Sequence, residues 1–598
     1  MIYIICYWVS ILVFIGGIVF TLVSRRKARV VRFKSLNMLI VSVFVSATAL
    51  FIPIYSRIFQ GDSLSWIKTI LISMHNAIRL FIVDGEFDII NDNITGTVIG
   101  IATPYSILAA VVFILAPVLT FSVVLSLIKN AYAYIAYLFS YFRDVYVFSE
   151  LNDESIALAK SIRSNHPKAR IIYTDVFESN DERSYELVQK ARSLVCVFFK
   201  NDMEYIHYGA HGKNSYITFF AIGRDESENI RQAITLVDRF RDRDKTSLYV
   251  FSSKCEGELL LADLDKGKVK VRRINESRSM INRYLYENGE VVFDNAIHRH
   301  SGKKDIRILI AGLGTYGKEM LKTMTWFCQM DGYRVFIDAF DRDKYIKNVL
   351  LAECPELLSK EYNGCFDKGD KGDAEYKITI HSGIDVYTNT FNKEVSKLDD
   401  ITYIFVALGN DSENVKAATR LRMLMEQRDS HPYIAAVVKD SHVNRGLQNI
   451  HNFKGQRYDI HFIGALDKMY SENAIIGSDL ENEALKSHLK WGKEDEFWDY
   501  EYNYQSSVAT TIHTKMKKYC GIKGSGKKNE ELTEDERNTL EQLEHRRWNA
   551  YMRSEGYIYS GSPAASSRND LGKMHHNLMP YKMLSEKDKR KDSKVASE

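Results

Sequence analysis

The sequence lacks the cysteine spacing of a metal or disulfide scaffold, and it lacks a large excess of charge of either sign. Its seven cysteines are scattered without a C-x-x-C pair. This argues against a zinc site or a disulfide framework and fits a reducing compartment. The 80 basic and 76 acidic residues nearly balance, so the composition gives no sign of a nucleic-acid-binding surface. We expect neither a metal site nor a nucleic-acid partner.

Three uncharged apolar runs lie in the first quarter of the chain, at Tyr3–Ser24, Leu36–Tyr55 and Ile99–Ile128. A helix that crosses a membrane needs about 20 apolar residues, and each run supplies enough. The short loop from Arg25 to Lys34 is strongly basic, and short basic loops stay on the cytoplasmic side. These features predict a multi-pass cell-membrane domain over residues 1–135, with the N-terminus outside and everything after the third run in the cytoplasm.

Between the second and third runs, residues 66–83 place apolar side chains at helical spacing, with Lys68, His75 and Arg79 on other faces. Two interpretations stay open: a helix that lines or plugs a pore between subunits, or a surface helix on the outer leaflet. The following segment, TGTVIG at 95–100, resembles the potassium-filter sequence TVGYG only faintly. Its glycine order and missing aromatic residue argue against a potassium filter.

After Lys129 the sequence changes to short β-rich runs that alternate with helical segments. This alternation is typical of parallel sheets covered by helices, and it predicts two α/β units, at 144–300 and 305–490. The predicted fold class is therefore multidomain: three transmembrane helices, then two Rossmann-like α/β units, then a small and mainly α-helical domain at 531–598.

The strongest motif lies at the start of the second α/β unit, where GLGTYG, residues 312–317, joins a predicted strand to a predicted helix. In this G-x-G-x-x-G context the first glycine permits the turn, the second lets the backbone approach a diphosphate, and the third lets the helix pack on the sheet. The alternative is that the glycines are retained for packing alone and that no nucleotide binds. The predicted contacts for a nucleotide or dinucleotide, either NAD-type or another adenine-containing signal molecule, are Gly312, Gly314, Thr315, Tyr316, Gly317 and the ribose-binding Asp341.

The first α/β unit departs from this pattern. Its first predicted strand leads into Ser149–Glu154, which has no glycine and several carboxylates that would repel a diphosphate. We predict that its phosphate site is lost. Over residues 144–490, the strand rhythm, the GLGTYG turn and the FDRD stretch around Asp341 resemble regulator-of-potassium-conductance modules of the TrkA-N type. That resemblance implies ligand-driven movement of paired units, coupling to a membrane segment, and assembly into a homo-oligomeric ring.

The C-terminal region is predicted to start after a polar, glycine-bearing linker at 491–530. Thr533 and Glu536 form a capping box for the next helix. His545 and Trp548 on that helix, the later Gly556-Tyr557, and Pro580-Tyr581 resemble the ryanodine-receptor (RyR) repeat domain, with Tyr557 standing where that family usually has Trp. The ligand pocket implied by this resemblance comprises His545, Arg547, Trp548, Tyr557, Arg568, Lys573, His575 and Tyr581.

In that family the helix Trp resembles a stacking platform for an adenine-type base, so the resemblance implies this role for Trp548. The cationic side chains of the set would neutralise phosphates. The alternative is that Trp548 anchors the core of a small domain.

No His-Asp or Tyr-x-x-x-Lys pair stands out after the glycine motif, so we predict no catalytic residue and no enzyme. The membrane spans, tandem units and RyR repeat together resemble bacterial sensors and effectors of nucleotide-derived signals, including those of antiviral defence. We therefore expect a nucleotide-sensing membrane protein, either a ligand-gated ion channel or a membrane-perturbing effector. Its expected partners are the lipid bilayer and a nucleotide-derived small molecule. The alternatives are a regulatory subunit of potassium or other ion transport and an NAD(P)-dependent membrane enzyme.

Overall fold

The structure, a computed structural model, divides the chain into two compact units, Met1–Ile135 and Ala136–Glu598. We call the first of these the membrane unit. The residues that the structure describes are 2–24, 30–85, 87–94, 100–140, 142–176, 181–206, 208, 215–253, 264–299, 302–359, 362–363, 375–448, 452–453, 456–561 and 568–589. Half of the basic loop that predicts the orientation, residues 25–29, and most of the TGTVIG segment, residues 95–99, lie outside the described residues.

Helices make up the membrane unit, and the last of them continues beyond it. Their bounds are Ile2–Ser24, Val30–Ile58, Ser65–Phe81, Phe87–Ile94 and Ala102–Leu138. Three contain segments long and apolar enough to cross a membrane, Ile2–Phe20, Met38–Ile58 and Ala102–Thr120, as the three apolar runs predict. The amphipathic stretch predicted at 66–83 is also helical.

Small residues bring the first two helices close together. The hydroxyl groups of Ser10 and Ser46 are 2.5 Å apart. A Cβ atom placed on Gly17 would lie 2.5 Å from the Cβ of Ser42. Close approach at small residues is the usual way in which helices pack inside a bilayer.

The first α/β unit contains a six-stranded parallel sheet in the order β3-β2-β1-β4-β5-β6. Its strands are β1 Val145–Phe148, β2 Arg170–Tyr173, β3 Val197–Phe198, β4 Ile217–Ala221, β5 Thr246–Phe251 and β6 Lys270–Ile274. Its helices are Asp153–Asn165, Glu182–Ser193 and Glu226–Phe240, and Glu276–Asn288 and Glu290–Asp294 lead into the second unit. The strand order is that of a Rossmann fold. Sequence patterns predict five of these strands and miss β6.

The second α/β unit repeats this order with β10-β9-β8-β11-β12-β15, all parallel, and β7 pairs antiparallel with the start of β8. Its strands are β7 Ile297–His298, β8 Lys304–Ala311, β9 Tyr333–Asp341, β10 Tyr376–Ser382, β11 Tyr403–Val406, β12 Tyr433–Val437, the hairpin β13 Asn452–Phe453 and β14 Gln456–Arg457, and β15 Ile460–Ile463. Its helices are Thr315–Phe327, Ile346–Glu353, Asn389–Ser396, Asp411–Glu426, Ser441–Gln448, Leu466–Met469, Glu472–Ile475 and Asp479–His488. The predicted Rossmann-like class is confirmed for both units.

The described part of the remaining chain contains helices and a small sheet. The helices Glu494–Asp499, Glu501–Tyr519 and Glu534–Ser554 are followed by β16 Ile558–Tyr559, β17 Arg568–Asn569 and β18 Met574–His575. Glu534–Ser554 is called the C-terminal helix below. As predicted, Thr533 and Glu536 form its capping box.

The linker predicted at 491–530 is instead largely helical, and the described core residues of the region after it belong to a core shared with the second α/β unit. Along Glu501–Tyr519, Val508, Ile512 and Met516 recur every four residues and are buried. They belong to the same apolar core as residues of the Thr315–Phe327 helix and of the C-terminal helix. An apolar stripe at this spacing buries one face of a helix, which is why the segment packs into the core.

Candidate functional site

The glycine turn, residues 312–317, follows β8 and contains glycines of two kinds. Gly312 has φ +92°, and a Cβ atom on it would lie 2.4 Å from the carbonyl oxygen of Ala407. A Cβ atom on Gly317 would lie 1.8 Å from the carbonyl oxygen of Gly312. Gly314 has φ −65°, and a Cβ atom on it would meet nothing within 4 Å. Packing therefore requires glycine at 312 and 317 but not at 314.

The open space at Gly314 lies at the start of the Thr315–Phe327 helix. The first turn of a helix leaves its amide groups without intrahelical acceptors and carries the positive end of the helix dipole. Thr315 is exposed at this end. The turn can therefore accept an anionic group close to its backbone.

Asp341, at the end of β9, lies beside the turn. One carboxylate oxygen accepts a hydrogen bond from the Leu313 amide at 2.6 Å, and the other accepts from the Asp343 amide at 2.8 Å. These bonds hold the turn against the neighbouring strand. A carboxylate has about four acceptor sites, so Asp341 keeps acceptor capacity for a ribose hydroxyl.

A cavity of about 350 Å³ lies between the carboxyl ends of the two sheets, and we call it the inter-unit cavity. Thr315 and Tyr316 of the glycine turn line it together with Lys439, which follows β12. The first α/β unit lines the other side with residues that follow β1, β4, β5 and β6, namely Asn152, Glu154, Gly223, Arg224, Glu226, Ser252, Ser253, Glu276 and Ser277. Ligands of parallel α/β sheets bind at the carboxyl ends of strands, and here two such edges share one cavity.

Glu276, from the first α/β unit, binds two side chains of the second α/β unit in this cavity. The same carboxylate oxygen accepts a hydrogen bond from the Lys439 ammonium group and one from the Tyr316 hydroxyl, each at 2.7 Å. The Lys439 nitrogen also lies 5.2 Å from the centre of the Tyr316 ring. Burial, followed by the Glu276 charge, raises the pKa of the Tyr316 phenol, so Tyr316 is a neutral hydrogen-bond donor.

Arg224 stands at the side of the cavity that belongs to the first α/β unit. Its side chain is exposed, and among the described residues no carboxylate pairs with its guanidinium group. Its backbone amide is held by Glu150 at 3.0 Å. Sequence patterns single out neither Arg224 nor Glu276 nor Lys439, because each belongs to the cavity only through the tertiary fold.

In the turn after β1, side chains of the turn itself accept hydrogen bonds from backbone amide groups. The Asn152 side chain caps the helix Asp153–Asn165 by accepting from the Ser155 amide at 2.8 Å. The Ser149 hydroxyl accepts from the Ile222 amide at 2.9 Å. Loss of a phosphate site in this unit stays a prediction, and this geometry is compatible with it.

In the C-terminal region, four of the predicted pocket residues form a cluster of rings, which we call the Trp548 cluster. The Trp548 ring is 4.8 Å from that of His575 in an edge-to-face arrangement and 5.8 Å from that of His545, measured between centroids. Tyr581 lies 5.8 Å from His545. Trp548 is half-buried, whereas His545 is buried and its Nε2 donates to the Met579 carbonyl at 2.8 Å.

Tyr502, from the segment predicted as a linker, connects this cluster to Tyr557 and Arg568. The Trp548 indole donates to the Tyr502 hydroxyl at 3.3 Å. The Arg568 guanidinium carbon lies 3.5 Å from the centre of the Tyr502 ring. Tyr557 donates to Asp570 at 2.8 Å. The local sequence gives no signal that Tyr502 belongs to this site.

The structure corrects the expectation that Arg547 binds a phosphate in the Trp548 cluster. Its side chain is 1% exposed, and it donates two hydrogen bonds to Glu544, at 3.0 and 2.7 Å. Lys573 is also engaged, since its ammonium group donates to the Glu555 carbonyl at 2.8 Å. Arg568 is paired as well, with the Asp570 carboxylate, and Lys589 lies 5.6 Å from the centre of the Tyr581 ring.

Among the described residues, no group of three or more His, Cys, Asp or Glu side chains is placed to hold a metal ion.

Comparisons with known proteins add little. No protein-family model matches the chain, and a search of curated proteins finds no match. One solved structure, a crystal structure of a mutant of GsuK, is similar to 73% of this chain and 98% of its own chain, with 11% sequence identity and a TM-score of 0.32. A likeness of this strength does not assign a family.

Proposed function

We propose that this protein is a membrane-anchored sensor in which a nucleotide-type ligand binds at the glycine turn and in the inter-unit cavity. The observation that carries the proposal is the contrast among the three glycines. Gly312 and Gly317 are explained by backbone packing, whereas Gly314 has no packing partner. A ligand that approaches the backbone at this position explains why a side chain is missing there.

The chemistry of the cavity supports a nucleotide rather than a simple anion. The amide groups at the start of the Thr315–Phe327 helix suit a phosphate. The other side of the cavity carries the carboxylates of Glu154, Glu226 and Glu276, which would repel a second phosphate but accept hydrogen bonds from sugar hydroxyls or a base amino group. At about 350 Å³, the cavity is within the range of roughly 300–1,000 Å³ that is usual for small-molecule sites.

Only a few residues of the chain separate the third apolar helix from the first strand of the first α/β unit. The third apolar helix continues to Leu138, and β1 begins at Val145. Near the end of this helix, Tyr137 is 2% exposed and donates to the Tyr208 carbonyl at 3.0 Å. A ligand shifts a conformational equilibrium only by its different affinity for the two states. A ligand that draws the two α/β units together would therefore move the end of this helix.

We further propose that the output is a ligand-gated ion channel or a membrane-perturbing effector, in a homo-oligomer. Mass spectrometry of small molecules that copurify with the full chain identifies the ligand class. Liposomes that contain the protein should then release ions only when that nucleotide is added. If the nucleotide binds but the liposomes release no ions, the result would favour the alternative, which is regulation of a separate potassium or other ion transporter.

Paired glycine substitutions test the binding site. Gly314→Asp should weaken nucleotide binding by at least tenfold, because it places a negative charge in the open space before the helix. Gly477→Asp is the matched control, since Gly477 also has no neighbour within 4 Å of a Cβ atom. Equal affinity of the two variants would exclude the glycine turn as the site.

The Trp548 cluster is a second candidate site, for an adenine-type base. Its support is the half-buried Trp548 ring flanked by His575, with the Arg568 guanidinium group joined to it through Tyr502. Trp548→Ala should abolish binding, and Gly314→Asp should leave it intact, if the ligand binds here.

We propose no catalytic residue. Hydride transfer from NAD(P)H to any acceptor by the purified protein would instead favour a membrane-bound oxidoreductase. A role in antiviral defence stays a prediction.

A further inference from the structure

The helix Ser65–Phe81 buries polar side chains and exposes large apolar ones, which is the reverse of a surface helix in water. Its polar residues Thr69, Ser73 and Asn76 are at most 8% exposed. Its large apolar side chains that face outward are 37% to 65% exposed, and they are Trp66, Ile70, Leu71, Met74 and Ile78. Lys68 and His75 are exposed as well. A helix that faced water would bury these side chains and expose the polar ones.

The chain that follows this helix lies beside the middle of a membrane-spanning segment. The Phe87 ring is 5.3 Å from the Phe113 ring, and a Cβ atom on Gly85 would lie 3.1 Å from Phe113 Cε1. Phe113 is eleven residues from the start of the apolar segment Ala102–Thr120, which is about 16 Å along a helix axis. The chain at Gly85 and Phe87 is therefore at the depth of the hydrocarbon core.

The start of the same helix is fixed to the end of the second apolar helix. Only residues 59–64 separate Ile58 from Ser65. In the second half of the helix, the Asn76 side chain donates to the Tyr55 hydroxyl at 3.0 Å. The helix thus runs from the end of one spanning helix to a point beside the middle of another. A segment that enters the bilayer and returns on the same side has this path.

The charges of the helix are compatible with such a position. Lys68 pairs with Asp62 at 3.0 Å, and Arg79 pairs with Asp84 at 3.0 Å. Between the two cations, His75 is the single titratable side chain in the sequence. Paired ions and long side chains near helix ends are tolerated in membranes.

We propose that Ser65–Phe81 is a re-entrant helix and that its outward face contacts the acyl chains of the bilayer. The proposal commits to lipid as the occupant because the residues on both sides of the helix place it at membrane depth. The two interpretations left open by the sequence, a surface helix on the outer leaflet and a helix that lines or plugs a pore between subunits, are the competing outcomes.

Spin-label accessibility tests this in the full chain reconstituted in lipid bilayers, with the native cysteines replaced. Labels are attached after Leu71→Cys or Ile78→Cys on the outward face, and after Ser63→Cys in the exposed connection as the control. Labels at 71 and 78 should collide several-fold more often with dissolved oxygen than with a water-soluble nickel chelate. The label at 63 should show the reverse.

Two results would overturn the proposal. Frequent collisions with the chelate at 71 and 78 would place this face in water. Immobile labels that neither reagent reaches would place it against another copy of the chain. If the cysteine-free background does not fold, brominated acyl chains provide a second measurement: they should quench the tryptophan fluorescence of the native-cysteine protein, and Trp66→Phe should remove a measurable part of that quenching. An unchanged quenched fraction would contradict lipid contact.

Discussion

Arg278 donates two hydrogen bonds to Glu555, at 3.1 and 2.8 Å, and one to Glu319, at 2.7 Å. The three residues come from the helix that leaves the first α/β unit, from the end of the C-terminal helix and from the helix of the glycine turn. Their side chains are at most 19% exposed. One guanidinium group therefore joins the two candidate ligand sites to the first α/β unit.

We expect Arg278→Met to lower the free energy of unfolding of the Ala136–Glu598 unit by about 3 kcal/mol, because it leaves two buried carboxylates without their cation. Denaturant unfolding of the full chain in detergent, followed by tryptophan fluorescence, measures this loss. Arg283→Met is the matched control on the same helix. Its exposed pair with Glu287 should contribute less than about 1 kcal/mol. Equal losses would show that the Arg278 network contributes no more than a surface pair.

His513 gives the stability of this unit a pH dependence. Burial, and then the charges of Lys517 and Arg547, lower the pKa of the His513 imidazole well below its usual value, and its Nε2 donates to the Gln329 carbonyl at 2.6 Å. Because the folded pKa is below the unfolded value of about 6.5, the unfolded state takes up the proton first. Stability should be full above pH 6.5 and should fall below it, by up to about 1.4 kcal/mol per pH unit.

His513→Asn should flatten this dependence between pH 6.5 and 5, as measured by unfolding curves at a series of pH values. The same slope in wild type and His513→Asn would assign the pH dependence to other groups.

Gly556→Ala should loosen the C-terminal region from the second α/β unit. Gly556 has φ +85°, and a Cβ atom on it would lie 2.5 Å from the carbonyl oxygen of Glu353. Left-handed strain together with this overlap should cost about 3 kcal/mol. Gly561 has φ +74° but no neighbour within 4 Å of a Cβ atom, so Gly561→Ala should cost only about 1 kcal/mol. Limited proteolysis of the C-terminal region, together with thermal unfolding, compares the two, and equal sensitivity would contradict a tight contact at Gly556.

Gly17→Leu should separate the first two apolar helices, because a side chain at this position would overlap Ser42. Insertion of extra methylene groups into a packed interface costs about 1–3 kcal/mol. Gly16→Leu is the control one residue earlier, where a Cβ atom would meet nothing within 4 Å. Thermal stability in detergent should fall for the first variant alone. A similar loss in both would point to the backbone freedom of glycine rather than to packing.

Much of the fold follows from local patterns, and what they miss depends on distant partners. The strand β6, residues 270–274, reads KVRRI. Because three of its five side chains are charged, no apolar run marks it as a strand in the sequence. In the structure Arg272 pairs with Glu481 and Arg273 with Glu501, more than 200 residues away. The candidate site has the same character. Gly314 and Asp341 of the glycine turn and its neighbouring strand are predicted from the local sequence, but Glu276 and Lys439, which line the inter-unit cavity, are brought together only by the tertiary fold.

The buried helix Glu501–Tyr519 limits where the chain can be cut into fragments that fold. A fragment that begins near residue 531 would carry the Trp548 cluster without Tyr502 and with one face of the C-terminal helix open to water. A fragment that ends near residue 490 would leave the apolar side of the Thr315–Phe327 helix uncovered. The two halves are therefore expected to fold cooperatively, and each is expected to depend on the other for its stability.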